Sequence, residues 1–203
     1  MKTIRGTLAT LLLFVAAALR AQTKTLPAVV DAGRVRIAVS GSGSDSGDSI
    51  RLLVVKSSES DARELPHTVP PGTKLASTTD SCAQSMVVGR VRGRETGPPT
   101  FVSTSTVVAG VRPVSYIFEA HCIELAKDNS SEWTSFRVHV SDPKLACFLQ
   151  KALGDGFSVE AVQAAVWIRT DEVTFEHTVQ KFPVNELDFR RAAEVVRCCH
   201  SRH

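Results

Sequence analysis

Two side chains in this sequence are chemically conspicuous because each sits on a face that is otherwise apolar. In the run from Val114 to Leu125, strand alternation puts Val114, Tyr116, Phe118, Ala120 and Cys122 on one side, which points the cysteine toward the core. In the segment after Ser158, Val159, Gln163, Val166 and Trp167 recur at helical spacing and form one stripe, which sets a carboxamide among hydrocarbon. A buried cysteine commonly behaves as a small hydrophobe. A buried amide without a partner costs about 1 to 3 kcal/mol. Gln163 therefore has to bond to backbone or water, or be chemically altered.

Cysteine usage adds a second layer of chemistry. The five cysteines are Cys82, Cys122, Cys147, Cys198 and Cys199. In an oxidising compartment an even number of them pair, and five leaves one over. The simplest arrangement joins Cys147 to Cys198 or Cys199 between helices, pairs Cys82 elsewhere and leaves one inert buried thiol. Cys198, Cys199, His200 and His203 carry zinc-ligand atoms, but adjacent cysteines do not match structural zinc spacing. Asp45 and Asp48 offer oxygens in a Gly/Ser loop without the spacing of a calcium loop. Neither a metal nor a cofactor is expected. The nucleophile elbow, the His-Glu-x-x-His helix and the Walker loop are all missing, so the common hydrolase and nucleotide-binding signatures fail.

The sequence His121-Cys122-Ile123 followed by Val162-Gln163-Ala164-Ala165-Val166-Trp167 resembles the paired signature of thioester domains of bacterial surface adhesins. The resemblance spans about residues 114–182. It implies that Cys122 and Gln163 condense with loss of ammonia, and that an amine or hydroxyl of a protein or surface partner then becomes attached to Gln163. It also implies a dry pocket, for which Tyr116, Phe118 and Trp167 are the candidate walls. His121 stands where that family favours a large apolar or aromatic side chain. The segment from Val69-Pro70-Pro71-Gly72-Thr73 to Gln84-Ser85-Met86-Val87-Val88 resembles secreted bacterial proteins of unknown function. Beside covalent capture stands a second reading, a disulfide-stabilised binding or structural module without covalent chemistry.

These residues need a scaffold, and the hydrophobic patterning describes one. From Thr25 to about His139 the period is two, with strands expected at 34–39, 50–56, 74–77, 84–91, 100–108, 114–125 and 133–140. After Ser141 the period becomes helical. Asp142-Pro143 opens a helix that ends at Gly154, Ser158 caps a second, Thr174 starts a short third, and Asn185 with Asp188 opens a last helix to about Cys199. Strands first and helices afterwards predict an α+β protein: an N-terminal antiparallel β-sandwich over 25–140, then a small C-terminal helical bundle over 141–203 packed on it. Phe148, Val162, Val166 and Trp167 are expected to face the sheet, with Phe189 and Val195 packing from the last helix.

Residues 1–21 read as a secretory signal peptide, with Lys2 and Arg5 ahead of an apolar stretch and small residues at Ala16, Ala17, Ala18 and Ala21. The expected location is secreted or periplasmic, with no transmembrane segment. The chain holds 24 basic and 21 acidic side chains, and Lys2, Arg5 and Arg20 all fall in the first 21 residues, so the remainder carries 21 of each. Without a basic excess, nucleic acid is not an expected partner.

Overall fold

Alternating strands in the first two thirds of the chain build one strongly curved antiparallel sheet. The computed structural model describes it within residues 24–44, 46–58, 66–79, 83–97 and 100–200. Residues 1–21, read above as a signal peptide, and Asp45, Cys82 and His203 lie outside the described residues. The strands are β1 (Val35–Gly41), β2 (Ser46–Lys56), β3 (Pro66–His67), β4 (Thr73–Ser77), β5 (Met86–Gly97), β6 (Thr100–Ser103), β7 (Val107–Val108), β8 (Val114–Cys122) and β9 (Phe136–Ser141). The main sheet runs β1-β2-β8-β5-β4-β9, with β6 pairing off β5, while β3 and β7 form a separate ribbon. At the open seam Ser40 bridges to Ser135, and Gly41 N–H donates to Thr134 O at 3.1 Å. The sheet thus nearly closes into a barrel, and the opposed walls expected of a sandwich belong to one sheet that curls back on itself.

Inward-facing residues of neighbouring strands meet in register. Ile50 lies opposite Phe118 and Leu52 opposite Tyr116 between β2 and β8, and Met86 lies opposite Cys122 between β5 and β8. All six are buried. Fully burying a large apolar side chain contributes about 1.5–3 kcal/mol, so this face fixes which side of each strand looks inward. Helix α1 (Leu26–Asp31) plugs the same core with Leu26 and Val29.

Four helices follow the strands among the described residues: α2 (Pro143–Gly154), α3 (Val159–Thr170), α4 (Phe175–Val179) and α5 (Glu186–His200). Their starts are set by side-chain caps. Asp142 accepts from Lys144 N–H at 2.9 Å, Ser158 Oγ from Ala161 N–H at 3.1 Å, and Asn185 Oδ1 from Asp188 N–H at 2.8 Å. The helices pack on the outer face of the sheet through a second apolar cluster that joins Val87 to Phe148, Val162, Val166 and Val195, with Phe189 against it. Trp167 belongs instead to the barrel core.

Four details differ from the patterning. α1 lies where period two was read, because six residues are too few to show a helical period; Pro27 in its first turn and Gly33 at φ +67° beyond its end are the local signals. The 100–108 strand splits into β6 and β7, and the 114–125 strand stops at Cys122. In α3 every residue from Ala161 to Trp167 is buried, rather than one stripe. The helix is enclosed on several sides, as expected for a helix that is apolar all round.

Candidate functional site

The last residue of β8 and the middle of α3 meet at the rim of the barrel. β2 begins at Ser46, opposite His121, so Cys122 lies one residue past the paired part of the β2–β8 ladder. The Gln163 carboxamide occupies that position. Its Nε2 donates to Cys122 O at 2.8 Å, and its Oε1 accepts from Cys122 N–H at 3.0 Å. A side-chain carboxamide presents one acceptor and one donor side by side, so it takes up both the N–H and the C=O that Cys122 offers beyond the β2 ladder. Both Cys122 and Gln163 are fully buried. The amide on an apolar helix is thus satisfied by main chain, one of the outcomes that its burial demands.

The Cys122 sulfur points into the barrel, 3.3 Å from Met86 Sδ. Ser130 Oγ approaches the same Met86 sulfur at 4.0 Å. The turn that follows Cys122 is held by Glu124, whose carboxylate accepts from Ser85 N–H at 2.8 Å and pairs with Lys127 at 2.7 Å. Burial pushes the Glu124 carboxyl up, but Lys127 and the Ser85 amide outweigh it and hold it below the usual range. Asp171, just past α3, accepts from Leu125 N–H at 2.9 Å, and Lys181 Nζ donates to Leu125 O at 2.6 Å. The turn beyond Cys122 is therefore fastened to the end of α3 and to Lys181, next to the Cys122–Gln163 contact.

The candidate walls are distributed unevenly. Trp167 stands one turn beyond Gln163, buried and edge-on to Phe182 with ring centres 5.6 Å apart. It borders a polar depression of about 180 Å³ shared with Gln84, Lys127, Asp128, Asn129 and Lys181. Trp167 Nε1 and Gln84 Oε1 are buried there without a hydrogen-bond partner among the described residues. Tyr116 lies elsewhere. Six residues of extended strand separate it from Cys122, about 20 Å, and its hydroxyl donates to Val108 O at 3.0 Å and accepts from Val108 N–H at 2.9 Å. It locks the distant end of the barrel. Phe118 is four residues away, about 13 Å along the strand, in the barrel core.

His121 faces the other side of the sheet and is fully buried. Its Nε2 lies 3.7 Å from Glu119 Oε1, too long for a hydrogen bond, whereas Arg90 Nε donates to Glu119 at 2.7 Å. Arg90 is therefore the closer hold on the Glu119 carboxylate.

Cys147 and Cys199 form a disulfide, which selects Cys199 over Cys198 and ties α2 to α5. Cys198 is exposed. With the Cys199 sulfur in that bond, the zinc set at the C-terminus loses a ligand. Asp48 pairs with Arg92 at 3.0 Å, which leaves its carboxylate to structure rather than calcium. Among the described residues no group of three or more His, Cys, Asp or Glu is placed to hold a metal ion, and no helix is long and apolar enough to cross a membrane. Missed by sequence reasoning were the sulfur partner Met86 and the orphaned amide of Gln84 beside the Trp167 that it did single out; Gln84 carried a signal, as a second amide in an apolar strand run. Compared with protein-family models, curated proteins and solved structures, the chain finds no match.

Proposed function

We propose that the protein is an exported capture module in which Cys122 and Gln163 condense to an internal thioester that takes up an amine or hydroxyl from a partner. The supporting observation is the two-way contact of the Gln163 carboxamide with Cys122. In the condensation Sγ gives up its proton and adds to Gln163 Cδ, the carboxamide nitrogen takes a proton and leaves as ammonia, and a carbon–sulfur bond replaces the carbon–nitrogen bond. The Cys122 N–H at 3.0 Å from Oε1 polarises that carbonyl and stabilises the charge that develops on it. The sulfur first has to turn away from Met86. An acceptor amine or hydroxyl then attacks Cδ, Cys122 leaves as thiolate, and an amide or ester remains on Gln163. Burial of both groups withholds water from the reactive bond.

A second reading has its own support. Each polar atom of the carboxamide already has a partner, so a structural role for Gln163 suffices and the protein is then a disulfide-stabilised module without covalent chemistry. Intact mass spectrometry separates the two. A thioester makes the protein lighter by one ammonia, methylamine adds its whole mass to leave an N-methylamide on Gln163 that is one CH2 heavier than the unmodified protein, and Cys122→Ala abolishes both effects. Full calculated mass, after allowance for disulfide hydrogens, with no methylamine adduct, rejects the thioester.

A further inference from the structure

The C-terminal helices enclose chemistry that the Cys122–Gln163 contact does not use. Beside the Cys147–Cys199 disulfide lies a cavity of about 300 Å³ lined by Lys144, Phe148, Arg169, Val196, Cys199 and His200. Phe148 and Val196 are buried and furnish a hydrocarbon wall. Lys144 comes from the first turn of α2, Arg169 from the last turn of α3 and His200 from the last turn of α5. Basic side chains from three helices thus meet at one opening, and no acidic side chain lines it among the described residues.

Ordinary structural roles account for only part of this. Arg51, Lys74, Arg90, Arg92, Lys127 and Lys151 sit in ion pairs, and no ion pair among the described residues takes in Lys144 or Arg169. Arg169 and His200 complement the negative ends of their own helices. Lys144 does the reverse, since a cation in the first turn opposes the helix dipole. An excess of positive charge over an apolar wall is a recognition surface for a molecule with one anionic end and one hydrocarbon end.

We propose that this cavity binds a small organic carboxylate, its charged group between Lys144 and Arg169 and its hydrocarbon part against Phe148 and Val196. The site is independent of the thioester reading. Octanoate, octylammonium and inorganic phosphate are titrated into the full chain, with calorimetry and amide chemical shifts as readouts. Octanoate is expected to saturate a single site, octylammonium to leave it untouched, and phosphate to bind at least about tenfold more weakly for want of a hydrocarbon part. Lys144→Gln and Arg169→Gln, both away from the buried core, should each weaken octanoate by about tenfold or more, as loss of a charge-assisted hydrogen bond does. Circular dichroism confirms that each variant remains folded. The proposal is overturned by octylammonium binding as tightly as octanoate, by phosphate matching octanoate, by unchanged octanoate affinity in the double variant, or by no saturation up to about 10 mM.

Discussion

Replacing Gln163 by methionine keeps the length of the side chain and its fit in a buried helix but removes both polar atoms. Cys122 then has a buried N–H and a buried C=O that lose the partners now at 3.0 and 2.8 Å. Each orphaned group costs about 1–3 kcal/mol, so the pair amounts to about 2–6 kcal/mol. For a chain of this size each kcal/mol lowers Tm by about 2–4 °C, which places the expected drop near 5–20 °C. Thermal unfolding followed by circular dichroism measures it. Gln163→Glu sharpens the test. It keeps an acceptor for Cys122 N–H but sets a second acceptor against Cys122 O, so it should destabilise at neutral pH and recover in acid, where a protonated carboxyl can donate. A shift below about 2 °C for Gln163→Met would refute the claim that main-chain pairing of this amide stabilises the barrel rim.

Cys122→Ser leaves that pairing intact, so it should cost no more than about 1–2 kcal/mol, the penalty of a buried hydroxyl beside Met86, and chemical denaturation would expose any larger loss. Tyr116→Phe strips the acceptor from Val108 N–H and should cost about 1–3 kcal/mol by the same measurement, with no effect on the mass of the Cys122–Gln163 region. Opening Cys147–Cys199, which closes a loop of 52 residues in sequence separation, should remove about 4 kcal/mol; a Tm indifferent to reductant and to Cys147→Ser would contradict this. Burial pushes the Glu119 carboxyl up, but the Arg90 guanidinium bonded to it, with His121 nearby, outweighs this and leaves it below the ordinary value of 4.5. A depressed folded pKa gives stability that is full above the unfolded value and fades as pH falls through the folded one. Glu119→Gln should therefore flatten the stability curve below about pH 4.5, and an unaltered acid limb would show that the carboxylate contributes nothing.

Much of the scaffold was legible because it depends on local rules. Alternation marked β1, β2 and β8, and Asp142, Ser158 and Asn185 announced the helix starts by types that cap. Two apolar-face anomalies led to Cys122 and Gln163, which the structure brings into contact. What stayed hidden depends on arrangement in space. Alternation puts Tyr116, Phe118 and Cys122 on one face but says nothing of how far along the strand a site extends, and Tyr116 turns out to serve Val108. A stripe on α3 could not reveal that the helix would be enclosed all round. Nor could spacing choose between Cys198 and Cys199, which adjoin on α5 and differ only in which one faces Cys147.

The amide that completes the β8 edge belongs to a residue 41 positions downstream, on a helix rather than on a strand. The backbone N–H of Cys122, which donates to Gln163 Oε1, is consequently shielded from exchange by docking of α3, not by association of strands. Deuterium uptake at that single backbone site would register detachment of the helix while the barrel itself stays shut, giving a built-in reporter of whether the two layers separate before the protein unfolds as a whole.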